Sequence, residues 1–539
     1  MSQTFFLLLF IFFIFQSEYR GTFENDVTDI HLDYPVQIFL EADPLVGITT
    51  AIASHTLFEG LKWCIPVLIL SMLFGRFICG WVCPLGTLNH LTGTAVTEKK
   101  KSAWIKENRY RESFRIKYII LIVMLGAATC TSLLTGFMDP IALLTRSLVT
   151  SVIPALTLSL RWALDSLSLT NMKFIQRAGD ILYNLADKSV LSFTQPHFHR
   201  GYIIGIIFIT ILLLNRRMLR FWCRILCPLG ALLGAASWFS IFGMEKKNEK
   251  CTDCNLCLVS CQGACEPIGR VKWRASECHM CFNCRVVCPE DVIRFKVMPK
   301  GVDIIEIPDI RRRKVITSIA AGLVIYPFAR TSDEVEVNFN EKLIRPPGSL
   351  AEKDFLAKCI KCGQCMKVCP NNALHPASWE AGPEGIWTPV LIPRIGYCEF
   401  NCTLCTQVCP TGAIKKLTEA EKTGKNGVTP VRIGTAFYDR GRCLPWAMAI
   451  PCIVCEEWCP TPKKAIRLEK TVVRAPDGRD ITVQQPYVIP ELCIGCGACE
   501  TKCPVQDKAA VYVTSIGETR APDNQILLNP ASPNKRRKS

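Results

Sequence analysis

Histidine is scarce in this chain, with seven residues in 539. No HExxH pair, GxSxG nucleophile elbow or GxGxxG phosphate loop occurs, so metalloprotease, hydrolase and dinucleotide-binding chemistry have no residues to carry them. His197 and His199 are close enough in sequence to suggest a quinone or haem site, although two histidines in a loop are more often solvated bystanders. The formal charge of +16 has no aromatic–basic stripe beside it, which leaves nucleic acid without an interface. A chain of 539 residues has room for three or four domains.

Cysteine is what the chain has in excess. Of its 31 cysteines, 24 fall into six tetrads, most with the rhythm C-x2-C-x2-C-x3-C. The first pair of tetrads is Cys251, Cys254, Cys257, Cys261 and Cys278, Cys281, Cys284, Cys288. Then come Cys359, Cys362, Cys365, Cys369 and Cys398, Cys402, Cys405, Cys409. The last two are Cys443, Cys452, Cys455, Cys459 and Cys493, Cys496, Cys499, Cys503. Three thiols on one loop and a fourth just before proline is how a 4Fe-4S cube is held. Pro289, Pro370, Pro410, Pro460 and Pro504 supply that proline in five of the six tetrads. Zinc knuckles pair two CxxC units, often with histidine, and have no use for the third cysteine or the CP end. Disulfides suit short secreted scaffolds rather than cysteines crowded into tight loops. The tetrads predict about six 4Fe-4S clusters.

In paired-cluster ferredoxins the fourth cysteine ligates the other cube. One ligand set would then be Cys251, Cys254, Cys257 and Cys288, and its partner Cys278, Cys281, Cys284 and Cys261. Cys261 departs from the pattern, being followed by Gln262, and Cys265 is an extra thiol nearby. Spacing favours Cys261 as the ligand and leaves Cys265 spare. In the second block eight residues separate Cys443 from Cys452. The exchange there would run either between neighbouring motifs or nested, first with fourth and second with third.

Apolar runs are confined mostly to the first 245 residues. Phe5–Phe15 reads as an anchor helix, since no small-residue cleavage site follows it. Leu57–Trp81, Ile116–Phe137 and Tyr202–Leu214, the last borrowing Phe198–Gly201, read as further spans. Ile141–Leu160 is amphipathic and interrupted by Arg146, as in an interfacial or re-entrant segment. Lys99, Lys100, Lys101, Lys106, Arg109, Arg111 and Arg115 fill one loop, and Arg216, Arg217 and Arg220 follow the fourth helix. Residues 17–56 are acidic instead, with Glu24, Asp26, Asp29, Asp33, Glu41 and Asp43. The positive-inside rule puts the N-terminus, the basic loops and the first tetrad pair on the cytoplasmic side of a bacterial inner membrane.

An internal repeat lies at the inner helix ends: FICGWVCPLG at Phe77–Gly86 recurs as FWCRILCPLG at Phe221–Gly230. Two hairpins related by an axis along the membrane normal would bring the CxxxCP elements together. Cys79, Cys83, Cys223 and Cys227 are therefore candidate redox or cluster-binding thiols, with structural packing as the alternative. Cys64 and Cys130 read as small core residues. Later, Arg312-Arg313-Lys314-Val315-Ile316, preceded by Asp309-Ile310-Arg311, resembles a twin-arginine export signal ahead of the apolar run Val315–Ala329. A basic linker before a buried helix is the alternative. As a signal, it would place residues 331–539 outside the inner membrane and remain as a fifth anchor.

The expected organisation is an α-helical membrane domain over residues 1–245 with four transmembrane helices and two CxxxCP motifs, then a two-cluster domain over 246–310. A twin-arginine-like anchor over 311–330, a four-cluster domain over 331–515 and a disordered basic tail over 516–539 complete it. Both cluster domains are expected to be small α+β ferredoxin-like units of the bacterial 4Fe-4S type. In the four-cluster block Leu374, Ile414, Ile466 and Val511 mark short strands after each CP turn.

The N-terminal part, with its two CxxxCP elements and the cluster pair that follows, resembles the NapH/MauN membrane ferredoxins and the C-terminal half of NosR. From Arg345-Pro346-Pro347-Gly348 through CIKCGQCMKVCP, YCEFNCTLCTQVCP, DRGRCLPW, CIVCEEWCP and CIGCGACETKCP, the chain resembles NapG/MauM. The unusual Cys443 spacing belongs to that second pattern. Together the likenesses cover most of residues 57–515, as though two separate partners were fused. The resemblance implies a quinol-linked electron path to an extracytoplasmic cytochrome, reductase or dehydrogenase subunit, and leaves the substrate unnamed. The function expected is a non-catalytic electron-transfer subunit in contact with membrane lipid and the quinone pool. Maturation or reactivation of a periplasmic metalloenzyme is the alternative.

Overall fold

Proline placed directly after an aspartate or a cysteine sets the helix starts of the N-terminal half. Asp43 caps the helix begun by Pro44, its Oδ1 accepting the Leu45 N–H at 2.8 Å. Asp139 does the same ahead of Pro140, accepting from Ala142 at 2.8 Å. In the CxxxCP elements the thiol takes the capping place: Cys83 Sγ accepts from Gly86 at 3.4 Å and Cys227 Sγ from Gly230 at 3.2 Å. Proline fits the first helical turn because the N–H it lacks has no partner there.

The computed structural model describes the chain apart from residues 1, 20–29, 97–99, 169–172, 190–195, 247–249, 269–270, 272, 300–311, 330–339, 475–477 and 526–539. Glu24, Asp26, Asp29, Lys99, Asp309, Arg311 and the tail beyond Gln525 lie outside the described residues. The N-terminal helices are α1 (Ser2–Phe15), α2 (Pro44–Ser54), α3 (Leu61–Phe74), α4 (Pro84–Val96) and α5 (Ile116–Thr129). They are followed by α6 (Pro140–Leu167), α7 (Lys173–Ser189), α8 (Gly201–Leu213), α9 (Pro228–Ala236) and α10 (Arg312–Ala329).

Among the described residues one helix is long and apolar enough to cross a membrane, the 28-residue α6. This differs from the expected spans. α6 lies where an interfacial or re-entrant segment was expected, because Arg146, the charge interrupting that run, is buried against protein. Its Nη1 donates to Gly136 O at 2.9 Å and to Lys361 O at 3.0 Å. The expected span Leu57–Trp81 is broken: Gly75, at φ 72°, ends α3, and a separate short helix, Phe77–Trp81, begins after it. The helices on Phe5–Phe15, Ile116–Phe137 and Tyr202–Leu214 are 13 or 14 residues long. α10 packs along α5 at glycine: a Cβ on Gly322 would fall 2.5 Å from Val123 O, and one on Gly126 3.3 Å from Ile319 O.

Two ferredoxin-type blocks sit at opposite ends of α5. Near its start, the Lys117 ammonium bonds the Glu277 carboxylate, Arg76 Nη1 donates to Ser276 O at 2.6 Å and Trp81 Nε1 to Met280 O at 2.8 Å. Beyond its end, Lys361 Nζ donates to Leu133 O at 3.2 Å, and the Glu384 carboxylate accepts from the Leu133 N–H at 3.2 Å. The first block is closed by antiparallel strands β1 (Phe242–Lys246) and β2 (Ile293–Val297). The second contains three further antiparallel pairs. These are β3 (Leu374–Pro376) with β4 (Pro389–Leu391), β5 (Thr435–Tyr438) with β8 (Val511–Thr514), and β6 (Ile466–Arg474) with β7 (Asp480–Val488). Strands begin at Leu374, Ile466 and Val511, while Ile414 makes an isolated bridge to Ser349.

The expected disordered tail starts too early. Residues up to Gln525 fold back, and Arg520 bonds Glu352 at 2.6 Å and Glu518 at 2.7 Å. Arg345 holds the other Glu352 oxygen at 2.5 Å, so one buried carboxylate ties the start of the block to its end.

Two outcomes test this packing. Gly322→Leu is expected to lower stability by about 1–3 kcal/mol through overpacking against α5, with Gly322→Ala milder, read from thermal unfolding in detergent. Burial alone would raise the Glu352 carboxyl, but Arg345 and Arg520 hold it at about 2 against an ordinary 4.5. Its stabilisation is then present above pH 4.5 and lost as pH falls toward 2. Glu352→Gln should cost about 3 kcal/mol at neutral pH and flatten that acid limb in denaturation curves.

Candidate metal centres

The tetrads fold as tight loops, and in each the third cysteine sits on about one turn of helix that ends before the fourth. The residue two before the third cysteine turns left-handed in several of them, so that backbone N–H groups point inward: Gly363 at φ 82° and Gly497 at φ 85°. Asn255 and Phe282 take the same region at φ 59°.

The loops form quartets by exchange. Cys359, Cys362 and Cys365 line a cavity with Cys409. Cys443, Cys452 and Cys455 line one with Cys503, and Cys493, Cys496 and Cys499 one with Cys459. Cys405 lies in the field of Cys398, Cys402 and Cys369. In the first block Cys251, Cys254, Cys257 and Cys288 line a cavity, and Cys284 faces Cys278, Cys261 and Cys281. The alternative left open in the four-motif block thus takes its neighbouring form. Among the described residues no three such side chains converge on the position of a single ion. The thiols stand apart on the walls of largely apolar cavities, and backbone N–H groups reach sulfur at Ala373 to Cys369 (3.3 Å) and Ile414 to Cys409 (3.4 Å). That arrangement fits corner ligation of an iron–sulfur cube.

The four quartets of the second block form a row. Cys365 lies in the field of Cys405, the Cys398 N–H donates to Cys496 O at 2.8 Å, and Cys499 lies in the field of Cys455. The order from the bundle outward is therefore the quartets containing Cys359, Cys398, Cys493 and Cys443. Burial pushes the Cys365, Cys405 and Cys499 thiols up, and their neighbours add to the effect. Thiolate character there needs bound positive charge.

Sequence reasoning missed two side chains beside the quartets. The Lys422 ammonium, fully buried, donates to Glu399 O at 2.5 Å and to Cys402 O. Burial opposes its charge, but Cys398, Cys402 and Cys405 raise its pKa overall. Tyr438 donates its hydroxyl to Cys455 Sγ at 3.0 Å. Neither lies inside a motif, so spacing carried no signal for them.

The two CxxxCP elements converge. Cys83 lies in the field of Cys223 and Cys79, and Cys227 in that of Cys223, Cys79 and Cys83. Arg76 and Arg220, each three residues before its first cysteine, cross between the repeats. A Cβ on Gly230 would come 2.8 Å from Arg76 Nη2, and one on Gly86 3.6 Å from Arg220 Nη1. That shared offset was visible in the sequence. The four thiols adjoin the first block, since Arg220 Nη1 lies 3.3 Å from His279 Nδ1 and Arg224 donates to Cys261 O at 3.0 Å.

Cys265 Sγ lies 3.7 Å from Cys261 Sγ, both buried, while Cys281 and Cys284 face Cys261. Cys64 is buried in α3, but Cys130 is only partly buried and caps the end of α5, so it is not a core residue. The His197 and His199 side chains are exposed. Their loop instead meets the four-cluster block through its backbone, His197 O accepting from Asn372 at 2.7 Å and the His199 N–H facing His375 Nδ1 at 3.3 Å.

Comparison with known proteins gives the same chemistry. A 4Fe-4S dicluster domain matches residues 358–413, and 4Fe-4S binding domains match residues 56–102, 199–244 and 486–506. The chain is 35% identical over 196 residues to the methylamine utilization ferredoxin-type protein MauM of Methylorubrum extorquens, covering 36% of this chain and 80% of that one. It is 29% identical over 209 residues to the ferredoxin-type protein NapG of Escherichia coli, 38% of this chain and 85% of that one. It is 25% identical over 269 residues to the regulatory protein NosR of Pseudomonas aeruginosa, 46% of this chain and 31% of that one. No solved structure matches.

Lys422→Met removes a buried positive charge next to one quartet. In an EPR-monitored redox titration, one centre should fall by on the order of 100 mV while the rest hold their potentials.

Proposed function

The chain belongs to the MauM ferredoxin-type family, and from that premise we propose that it is a membrane-bound iron–sulfur electron-transfer protein linking the quinone pool to an extracytoplasmic oxidoreductase. The ligands proposed are the six exchanged quartets. The inner pair is Cys251, Cys254, Cys257, Cys288 and Cys278, Cys281, Cys284, Cys261. The outer four comprise Cys359, Cys362, Cys365, Cys409; Cys398, Cys402, Cys405, Cys369; Cys493, Cys496, Cys499, Cys459; and Cys443, Cys452, Cys455, Cys503. Bound there, a 4Fe-4S group supplies reversible one-electron chemistry.

The observation that carries the reading is the separation of the two blocks by the helices. α5 has about 20 Å between the end that meets Glu277 and the end near Lys361. α10, beginning at the twin arginines and packed along α5, supports a chain that crosses between the blocks. In this reading residues 1–245 are a NapH/MauN-like membrane part, with short or broken helices packed round α6, and residues 331–525 face the periplasm. The protein residues hold loops rigid, exclude water and set local charge. Lys361 and Arg146 fix the first outer quartet to the bundle, and Lys422 places a cation beside the second. Cys79, partly buried, and the buried Cys83, Cys223 and Cys227 form a thiol group between the inner pair and the helices, and we assign it a redox role.

The similarity to a regulatory protein, NosR, favours one alternative: supplying electrons to a metalloenzyme during its assembly or reactivation. Deletion separates the two. A partner enzyme that is fully loaded and active with artificial donors in the deletion strain rules out the maturation role.

The proposal expects about 24 iron atoms per chain and EPR signals of reduced 4Fe-4S centres in the purified protein. Iron near two atoms per chain would end it. Protease added to intact spheroplasts should cut within residues 340–525 and spare residues 250–298; protection of both would place all the clusters on one side.

A further inference from the structure

The row of outer quartets has unlike ends. The quartet of Cys359 is covered by the bundle, with the Arg146 Cα 3.6 Å from where a Cβ on Gly363 would stand. The quartet of Cys443 is covered by its own loop, Leu444–Pro451, which is the insertion that puts eight residues between Cys443 and Cys452. That loop is a closed turn: the Met448 and Ile450 N–H groups both donate to Leu444 O, at 3.1 and 3.2 Å, and Ala449 between them takes φ 53°.

A rigid turn of this kind presents apolar side chains to water. Met448 is 48% exposed, Ile450 47%, Ile453 38% and Trp458 45%, all between the first and last cysteines of one motif. Cations are fixed at the edge. The Arg440 guanidinium lies 4.3 Å over the Trp446 ring and the Lys502 ammonium 4.1 Å over the Trp458 ring. Lys464 Nζ is held by the carbonyls of Glu456, Glu457 and Cys459 at 2.8 to 3.1 Å. Of the carboxylates exposed nearby, Glu457 and Asp507, the second faces Arg442 at 4.0 Å. The edge is basic on balance. A small apolar centre allows close approach and quick release, and a basic rim steers an acidic partner.

We infer that the Leu444–Pro451 loop, with Ile453 and Trp458, is the docking face for a soluble redox protein that presents carboxylates around a small apolar patch. One electron passes at each encounter between that partner's centre and the site of Cys443, Cys452, Cys455 and Cys503, and no bond is made or broken. This rests on the electron-transfer reading above and adds the partner's chemistry and the place where it binds. It also gives the atypical Cys443 spacing a purpose that ligation alone does not require.

The test uses the full cluster-loaded chain in detergent, an acidic plastocyanin as probe and a basic mitochondrial-type cytochrome c as counter-probe. Calorimetry reads binding, and stopped-flow mixing with the reduced chain reads the rate. Plastocyanin is expected to bind and to be reduced, with an association rate that falls about tenfold between about 0.05 and about 0.5 M salt. Met448→Asp and Ile450→Asp, both at exposed positions, should weaken binding about tenfold or more while iron content and EPR spectrum match the parent. Failure of plastocyanin to bind, equal or tighter binding of cytochrome c, or unchanged binding in both variants overturns the inference. A self-dimer abolished by Ile450→Asp also overturns it, since a second copy would then be the occupant. Absence of cluster signals from the parent chain would sink the electron-transfer reading, whereas the calorimetric result still reports on the surface.

Discussion

The fourth cysteine of each motif leaves its own loop and closes its neighbour's quartet, and the geometry of both blocks depends on that exchange. Cys409 completes the Cys359 loop and Cys503 the Cys443 loop. In the first block the antiparallel pair β1 and β2 closes the same unit, with Phe242 opposite Val297 and Lys246 opposite Ile293. With ligation supplying much of the folding free energy, the second block needs only short strand pairs and one-turn helices. Its remaining large fixed points are ionic. Arg345, Glu352, Arg520 and Glu518 clamp the chain where it enters and leaves, and all four are buried.

The helical half has a related pattern, in which a capping side chain followed by proline starts four of its helices. Asp43 and Asp139 cap α2 and α6, while Cys83 and Cys227 cap α4 and α9. Each type occurs once per repeat, so the pseudosymmetry brings like with like. The thiols gather at one end, and the two aspartates meet near the other. Burial and the neighbouring Asp139 carboxyl push Asp43 well up. Lys117, Arg76 and Arg224 at one end and Arg146 at the other are buried and donate to backbone carbonyls or a carboxylate of the cluster blocks, while the buried Lys361 of the second block donates back to Leu133 O of the bundle. Removing either block would strand these charges, so bundle and blocks stabilise one another.

How much of this was legible in the sequence follows from the range of each interaction. The cysteine tetrads are local patterns, the longest running from Cys443 to Cys459, and were readable as patterns. Whether the exchange in the four-motif block ran between neighbours or nested depended on which loops adjoin, which spacing does not carry. Hydropathy located the apolar segments at Leu57–Trp81 and Tyr202–Leu214; the second is one unbroken helix, but the continuity of the first was overstated, because a left-handed Gly75 breaks it without reducing apolarity. It undervalued Pro140–Leu167 for the opposite reason: Arg146 looked like a charge exposed to lipid, yet it finds the carbonyls of Gly136 and Lys361. The segment around Arg520 looked like part of a basic tail because its partner, Glu352, lies 168 residues earlier. Arg76 and Arg220 stand one residue ahead of the two repeat copies, a shared offset that the repeat as read from Phe77 and Phe221 left out.

Charge is distributed unevenly along the row of outer sites, and this sets a direction. Arg146 and Lys361 lie in the field of the Cys359 quartet, and Lys422 lies in that of the Cys398 quartet. Arg432 acts on Cys493 more weakly than do its thiol neighbours, and the charges that act most on Cys443 and Cys455 are other cysteines. Buried cations favour the reduced, more negative state of a nearby centre, and in a low-dielectric interior they do so strongly. The bundle end of the row is therefore the more attractive place for an added electron, and the exposed end the less attractive. With 4Fe-4S groups bound in the quartets, the buried cations would hold the two bundle-end centres at higher potential than the two at the far end, where Arg440, Lys464 and Lys502 lie at a rim closer to water and act more weakly.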